Sequence, residues 1–314
     1  METSKERVLK AINHVQPDTT PVRLMGFEGI ERWLQHFHVE NAYDLIEKLG
    51  VDTCSVILTP TGPNVERGLS IWGTKANTGG YQGIGYSKER GEHPLSSAES
   101  VEDIERFAWP NPDDFDCKIT DQIRQMVVDK ACMAGLSVVP TRSSSISRDT
   151  SWIPVICSLF ELFGFEETLI RLYTEPKIIE AAIFHLETFI LEVSRKLLEA
   201  SKGLADIYTC GDDFATARGI MMSPEHWRKY LKPTYRKMFD LAKSYGVKVW
   251  FHCCATFRPV LPDLIDIGMD VWEPLQAHVP GNEPEVLKKE YGKDITFFGG
   301  INSQHTLPYG TTED

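Results

Sequence analysis

Short, nearly continuous apolar runs alternate with longer amphipathic segments along most of the chain. Apolar runs of this length predict strands that are covered on both faces or closed into a barrel. Seven candidate strands result: Pro21–Gly26, Thr53–Leu58, Leu136–Thr141, Ala205–Cys210, Val247–Cys254, Met269–Leu275 and Ile295–Gly300.

The amphipathic segments between these runs carry recognisable helix start and stop signals. Apolar residues at helical spacing predict a long helix from about Pro176 to Ala200. Ser223 followed by Pro224 predicts another helix start, and Gly246 closes that helical region. Two further helices are predicted in the last third of the chain: Pro259 to Ile267 and Glu283 to Tyr291.

Strand–helix alternation predicts a parallel sheet, and right-handed crossovers leave two common outcomes, an open doubly wound sheet or a (β/α)₈ barrel. The Gly-x-Gly-x-x-Gly turn that typically follows the first strand of a nucleotide-binding sheet is absent. The glycines from Gly79 to Gly85 are better interpreted as hairpin turns within an insertion over about residues 62–115. We therefore predict one α/β domain over residues 1–314, a TIM barrel with a β-hairpin insertion after its second strand.

Composition and charge restrict the class of protein further. The 314 residues are 42% apolar, and 33 basic against 45 acidic residues give a net charge of −12. This balance argues against nucleic acid or an anionic membrane as the main partner. No apolar run approaches a membrane span, and the amino-terminal segment does not have the apolar core of a signal peptide. The seven scattered cysteines are typical of reduced thiols in a cytoplasmic enzyme.

The segment Trp250–Cys254 carries the most specific chemical signal. On a strand, His252 and Cys254 point to the same face and Cys253 points away. An imidazole and a thiolate on one face suit zinc, which can ionise a substrate thiol at neutral pH. The alternative is a buried cysteine beside a hydrogen-bonded histidine. The spacing supplies two ligands and leaves a third unidentified.

Adjacent carboxylates follow the strand that ends at Cys210. Repulsion between Asp212 and Asp213 raises one pKa, which suits proton handling or metal binding. A helix cap or a turn is the structural alternative, because Asp is favoured in both.

Four further polar residues lie at predicted strand ends, where a barrel has its active site. Arg23 can pair with an anionic group or form a surface ion pair. Glu273 and Gln276 lie on opposite faces at the sixth strand, so at most one is expected to face the pocket. Asn302 follows Gly299 and Gly300, which allow either close approach of a phosphate or close packing.

Seven segments in order carry a resemblance that covers nearly the whole chain. They are Lys5–Val22, Gly164–Pro176, Gly203–Asp213, Ser223–Glu225, His252–Cys254, Pro262–Val271 and Phe298–Ile301. In these segments the chain resembles the uroporphyrinogen decarboxylase superfamily, which also contains zinc-dependent corrinoid methyltransferases. The resemblance implies a (β/α)₈ barrel, in agreement with the fold predicted from the strand pattern.

Two branches of that superfamily are distinguished by their residues. Decarboxylases resemble one another in an Arg-Gln-Ala-Gly-Arg-Tyr run after the first strand, which holds the substrate's carboxylates. Here the stretch from Met25 to Ile30 has neither arginine and contains Glu28, which would repel a polyanionic tetrapyrrole. The aspartate that the decarboxylases carry at the end of their second strand corresponds to Thr59 or Pro60. These departures argue against porphyrinogen decarboxylation, which remains the alternative function.

The methyltransferase branch implies roles for the residues at the strand ends. Its members carry His-x-Cys as zinc ligands, which His252 and Cys254 match, and they exchange methyl groups between small donors or thiols and a corrinoid-bearing protein. The resemblance implies that Asp212 or Asp213 contacts substrate or supplies a proton, with Gln276 or Glu273 beside the metal. Arg23 and Asn302 complete the expected substrate site. A non-catalytic relative that keeps the barrel as a binding module is a third hypothesis.

The end of the sequence departs from this family. The methyltransferases supply a further cysteine ligand from the eighth strand, whereas the segment from Leu307 to Asp314 is typical of the start of the next helix. The barrel is therefore expected to lack its eighth strand and last helix. A truncated chain, a barrel completed by a partner and an unrecognised eighth strand remain open explanations. Open sheet edges favour association with another chain, including a homodimer.

Overall fold

The computed structural model of the protein describes residues 2–24, 30–67, 69–74, 93–136 and 153–313. Nine strands lie in these ranges: β1 Thr53–Pro60, β2 Phe115–Cys117, β3 Ala131–Leu136, β4 Ile207–Gly211, β5 Ala215–Thr216, β6 Gly219–Ile220, β7 Lys248–His252, β8 Val271–Leu275 and β9 Thr296–Gly299.

Helices separate most of these strands. In the described ranges they are α1 Ser4–Ile12, α2 Ile30–Phe37, α3 Ala42–Lys48, α4 Pro63–Glu66, α5 Val101–Glu105, α6 Asp121–Asp129, α7 Val155–Phe163, α8 Phe165–Thr174, α9 Pro176–Ala200, α10 Pro224–Tyr230, α11 Lys232–Ser244, a 3₁₀ turn Arg258–Val260, α12 Leu261–Asp266, α13 Pro284–Tyr291 and α14 Thr306–Tyr309.

The main sheet has seven strands in the order β2-β1-β3-β4-β7-β8-β9, and every pair from β1 to β9 is parallel. β2 lies at one edge and runs antiparallel to β1, while β5 and β6 form a separate hairpin. Because the parallel strands end at one edge of the sheet, the residues after β4, β7 and β8 come together there. The mainly parallel α/β sheet agrees with a TIM-barrel-like fold. Among the described strands, β2 and β9 are the two edges of the sheet.

The two faces of the sheet are covered differently. On one face the helices pack against alternate strand residues such as Ala134, Tyr208 and Phe251, all buried. On the other face, Met133 and Trp250 belong to a buried cluster that includes Val8 and Ile12 of α1. His252 is two residues beyond Trp250 and therefore continues this second face towards the carboxyl ends of the strands.

Most of the predicted elements in the carboxyl-terminal half are confirmed. The long helix spans Pro176–Ala200 as predicted, and it buries one side along its full length. The strands expected after Ala205, Val247, Met269 and Ile295 are β4, β7, β8 and β9, each within two residues of its predicted start.

Two predicted strands in the amino-terminal half are wrong in position or kind. The run Leu136–Thr141 was expected to be a strand, but β3 lies at Ala131–Leu136, and residues 137–141 lie outside the described residues. The short side chains of Ala131 and Ala134 hid this strand from a pattern based on β-branched residues.

The predicted strand Pro21–Gly26 is an irregular segment over its described residues, 21–24. The amide of Val22 donates to Asp52 Oδ2 at 2.7 Å, and the Asp52 amide donates to the carbonyl of Val22 at 2.8 Å. The Asp52 carboxylate thus accepts the hydrogen bond that a neighbouring strand would otherwise accept from Val22. Arg23 therefore extends into the interior from a segment that is not part of the sheet.

The predicted insertion over residues 62–115 is described only in part. Its hairpin turns at Gly79–Gly85 lie outside the described residues. The described part contains α4 and α5 and leads into β2, an antiparallel strand that the apolar pattern did not predict because it has only three residues.

Candidate metal centre

Asp213, His252 and Cys254 bring three ligand atoms together beyond the carboxyl ends of β4 and β7. Gly211 at the end of β4 is the register partner of His252 at the end of β7, which places Asp213 beside the histidine. Cys254 Sγ lies 3.5 Å from His252 Nε2, and Asp213 Oδ1 lies 3.9 Å from the same nitrogen. The three ligand atoms all lie within 4.8 Å of one another.

Cys254 reaches this position because the chain turns directly after β7. Its amide donates to Asp213 Oδ1 at 2.9 Å, so the carboxylate also holds the loop that carries the thiol. The next residue, Ala255, has a φ of 72°, a conformation rare for residues other than glycine. Its amide donates to Gln276 Oε1 at 2.8 Å, and its carbonyl accepts from Asn282 Nδ2 at 2.9 Å. These bonds offset the strain and fix the turn.

The separations fit a zinc ion. Bonds of 2.0–2.3 Å in a tetrahedral site place neighbouring ligand atoms about 3.3–3.8 Å apart. The two separations from His252 Nε2, 3.5 Å and 3.9 Å, are close to this range, and all three separations lie within 4.8 Å, so zinc would require a shift of about 1 Å at most between Asp213 and Cys254. A carboxylate, an imidazole and a thiolate are all ordinary zinc ligands, and three protein ligands leave a fourth position for water or substrate.

Burial favours the neutral, ligating form of the histidine. His252 is 6% exposed. Burial lowers the pKa of its imidazole below the usual range, although the nearby Glu273 and Asp213 carboxylates oppose this shift. The ring is therefore neutral near pH 7, and one of its nitrogens offers a lone pair to a metal.

Asp212 and Asp213 face different surroundings although they are adjacent. The carboxylate of Asp212 is fully buried and accepts from the backbone amides of Val155, Ile156 and Cys157 at 2.7–3.1 Å. It also accepts from the Tyr235 hydroxyl at 2.7 Å. Burial raises the pKa of Asp212 to about 6, against the effect of these hydrogen bonds. Asp212 thus joins the end of β4 to the first turn of α7, and Asp213 is the member of the pair in the ligand cluster.

Arg23 and Glu273 form a buried ion pair behind the histidine. Arg23 Nη1 donates to Glu273 Oε1 at 2.6 Å, and their side chains are 4% and 2% exposed. Glu273 Oε2 accepts from Trp250 Nε1 at 2.5 Å and lies 3.9 Å from His252 Nδ1. Burial is the largest single effect and acts to raise the pKa of Glu273, but the Arg23 charge, the His252 ring and the hydrogen bonds from Trp250 and Arg23 together outweigh it, so the net pKa is lowered. Glu273 is therefore ionised.

Gln276 contacts the loop that carries Cys254, whereas the side chain of Asn302 binds backbone amides just before α14. Gln276 follows β8 and binds the Ala255 amide, so both it and Glu273 contact the segment that carries His252 and Cys254. The sequence had suggested at most one of the two in the pocket. Asn302 accepts from the amides of Gln304 and His305 at 3.0 and 3.1 Å, which makes it a turn residue before α14.

Gly299, the first of the two glycines before Asn302, serves close packing between strands. Gly299 has a φ of +126°, and a Cβ there would lie 2.8 Å from the backbone nitrogen of Leu275. Of the two alternatives left by the sequence, the geometry at this position matches close packing.

Three residues near the cluster were missed by the sequence pattern. Asn282 is fully buried and holds the Ala255 turn, and Tyr235 holds Asp212. Cys157 in α7 has its Sγ 3.9 Å from the carbonyl of Asp213, and burial raises the pKa of this thiol far above its usual range. None of the three stands in a recognisable motif, and each comes from an element distant in sequence from its partner.

Known proteins resemble the chain at the level of family and of fold. The sequence model of the family described as Uroporphyrinogen decarboxylase (URO-D) matches residues 155–314. A solved methyltransferase from Methanosarcina mazei is similar with a TM-score of 0.50 and 17% identity, over 90% of this chain and 81% of that chain. No curated protein matches the chain. At 17% identity the structural similarity concerns the fold.

Among the described residues, no helix is long and apolar enough to cross a membrane.

Proposed function

The chain belongs to the uroporphyrinogen decarboxylase (URO-D) family, and we propose that within it the protein is a zinc-dependent methyltransferase-like enzyme. The substrate is a small methyl donor or a thiol acceptor, and the other methyl carrier is a corrinoid held by a partner protein. The observation that carries the proposal is the convergence of Asp213 Oδ1, His252 Nε2 and Cys254 Sγ within 4.8 Å.

The three ligands have distinct tasks in this proposal. His252 supplies a neutral imidazole, because burial disfavours its charged form. Cys254 supplies a thiolate, and Asp213 supplies a carboxylate that also holds the Cys254 amide at 2.9 Å. A zinc ion held by these groups would supply a Lewis acid, which lowers the pKa of a substrate thiol or hydroxyl.

The surrounding residues keep these ligands in place. Asp212 fixes the end of β4 against α7 through three backbone amides and Tyr235. Gln276 and Asn282 fix the Ala255 turn through its amide and its carbonyl. Rigid supporting contacts of this kind are what a metal centre needs to hold its ligands near their productive geometry.

Arg23 supports this function over porphyrinogen decarboxylation. A tetrapyrrole with several carboxylates requires cationic side chains that can turn to it. Arg23, the arginine nearest the cluster among the described residues before β1, is bound to Glu273 at 2.6 Å and is 4% exposed. Its charge is thus already compensated inside the protein.

Metal analysis of the purified protein tests the proposal. We expect close to one zinc per chain, and loss of that zinc in His252→Ala and Cys254→Ser. Cys253→Ala is the matched control, because Cys253 is a fully buried neighbour in the same loop whose Sγ contacts the Cys254 carbonyl. The zinc-loaded protein should then demethylate methylcobalamin in the presence of small thiols, seen as a spectral change to cob(I)alamin with formation of the methyl thioether. A wild-type protein without zinc, with His252→Ala indistinguishable from it, would overturn the proposal.

A further inference from the structure

Arg23 and Glu273 form an ion pair next to His252 that is too deeply buried to serve surface solubility, and packing alone does not require charged side chains there. Arg23 and Glu273 are 250 positions apart in sequence, and their side chains are almost fully buried. A buried ion pair is weak evidence for stability, because two apolar side chains of similar size often stabilise a fold equally well. A fixed carboxylate next to a metal-ligating histidine is instead a recurring device that orients the ring.

The carboxylate of Glu273 is held on both of its oxygens. Arg23 Nη1 donates to Oε1 at 2.6 Å, and Trp250 Nε1 donates to Oε2 at 2.5 Å. The Arg23 guanidinium also lies 5.3 Å from the Trp250 ring centroid and 5.8 Å from that of Phe298. These contacts leave the carboxylate one orientation, in which Oε2 is 3.9 Å from His252 Nδ1.

The two nitrogens of the His252 ring face different groups. Nδ1 faces Glu273, whereas Nε2 faces Cys254 Sγ at 3.5 Å and Asp213 Oδ1 at 3.9 Å. A neutral imidazole carries its proton on only one nitrogen, and the other offers a lone pair. Only the tautomer with the proton on Nδ1 directs a lone pair towards the other two ligands.

Electrostatics favour that tautomer. Glu273 is 2% exposed on its side chain and Asp213 is 15% exposed, so water screens the field of Glu273 less. Asp213 Oδ1 is also engaged by the Cys254 amide at 2.9 Å. At 3.9 Å Glu273 acts through its charge rather than through a formed hydrogen bond.

We propose that Arg23, Trp250 and Glu273 form a positioning unit that keeps the ring proton of His252 on Nδ1 and the Nε2 lone pair directed at Asp213 and Cys254. The unit makes the histidine a ready metal ligand before any metal arrives. This inference rests on the proposed function only for its consequence on zinc affinity, because the tautomer is a property of the metal-free protein.

The experiment reads the tautomer and the zinc affinity separately. Long-range ¹H–¹⁵N spectra of histidine-labelled, metal-free protein report which nitrogen carries the proton, and His252→Gln assigns the signal. We expect the Nδ1-protonated form in the wild type. Zinc affinity is then measured by competition with a chromophoric chelator.

The decisive variant removes both charges at once. Glu273→Gln alone leaves Arg23 buried without its partner and is expected to unfold part of the protein. The double variant Arg23→Met/Glu273→Gln avoids that penalty, and its fold is checked by circular dichroism. In it we expect the Nε2-protonated form to increase and zinc affinity to fall about 10–100-fold.

An ion pair outside the metal centre serves as the control. Arg171 and Glu167 are paired at 2.9 Å on α8, with 6% and 34% exposed side chains. Arg171→Met/Glu167→Gln should leave both the tautomer and the zinc affinity unchanged. The inference is overturned if wild-type His252 carries its proton on Nε2, or if the folded Arg23→Met/Glu273→Gln variant keeps the wild-type tautomer and affinity. A wild-type protein that binds no zinc but shows the predicted tautomer would overturn the proposed function and leave the positioning unit supported.

Discussion

Replacing Asp212 separates the roles of the two adjacent aspartates. The carboxylate of Asp212 is the acceptor for three backbone amides at the start of α7 and for the Tyr235 hydroxyl, all in a fully buried site. Asp212→Ala leaves these four donors without that acceptor. Each buried donor that loses its partner costs about 1–3 kcal/mol, and water that enters the space recovers part of the loss. We expect the free energy of unfolding to fall by about 3–5 kcal/mol.

Two milder variants test whether this magnitude has the stated origin. Asp212→Asn keeps one acceptor oxygen but removes the charge. Its side-chain NH₂ group would face the backbone amide of Cys157, which in the wild type donates to the carboxylate at 3.1 Å. Tyr235→Phe removes only the phenol that donates at 2.7 Å. Each should lower the free energy of unfolding by about 1–2 kcal/mol. Because both changes touch the same carboxylate, the double variant should lose less than the sum of the two.

Urea denaturation of each variant gives these free energies, and chelator competition gives the zinc affinity. Asp212→Asn should bind zinc within a few-fold of the wild type, whereas Asp213→Asn should lose most of its affinity. An Asp212→Ala protein as stable as the wild type, to within about 0.5 kcal/mol, would refute the anchoring role. Loss of zinc from a folded Asp212→Asn variant, with zinc retained by Asp213→Asn, would reverse the assignment of the pair.

Other parts of the structure give three independent predictions. In urea denaturation, Gly299→Ala should lower the free energy of unfolding by about 2 kcal/mol more than Gly203→Ala. Both glycines have positive φ, but a Cβ at Gly299 would lie 2.8 Å from the Leu275 backbone, whereas one at Gly203 would meet no atom within 4 Å. Equal losses would remove the close-packing explanation. Asn282→Ala should cost about 1–3 kcal/mol and weaken zinc binding, because the Ala255 turn loses its 2.9 Å bond, and an unchanged zinc affinity would separate this turn from the metal centre. The hydrogen bond from Arg7 lowers the pKa of Asp18 to about 2 from its ordinary 3.8. This pair therefore stabilises the fold above about pH 4 and ceases to do so as the pH falls towards 2. Asp18→Asn should make the free energy of unfolding depend less on pH in that range, and an unaltered pH dependence would contradict the assignment.

Long periodic elements were predictable from the chain, and short or indirectly held ones were not. The helix Pro176–Ala200 combines Pro at its start with a buried stripe over seven turns, so local signal and packing agree. The segment from Pro21 to Leu24 has a strand-like composition, but its neighbour is the Asp52 side chain, a long-range contact that no local pattern encodes. β3 escaped a search for β-branched runs because alanine and glycine occupy half of its positions.

The same division holds for the metal centre. His252 and Cys254 were predictable as a pair because their spacing is local, although the thiol reaches the histidine through a turn after the strand rather than along it. Asp212 and Asp213 were visible as a pair, but only the position of α7 distinguishes them, since α7 supplies the donors that bind Asp212. The contacts of Arg23 with Glu273, and of Asn282 with Ala255, depend on the tertiary fold and had no signature in the sequence.

In the proposed metal centre, Asp213, His252 and Cys254 together hold one zinc ion. X-ray absorption spectroscopy at the zinc edge compares the first shell of the zinc-loaded wild type with that of Asp213→Asn loaded at saturating zinc concentration. We predict a single sulfur neighbour at about 2.3 Å with nitrogen and oxygen neighbours at about 2.0–2.1 Å, and a change confined to the oxygen contribution in the variant. A first shell with two or more sulfur atoms, or with none, would contradict this ligand set.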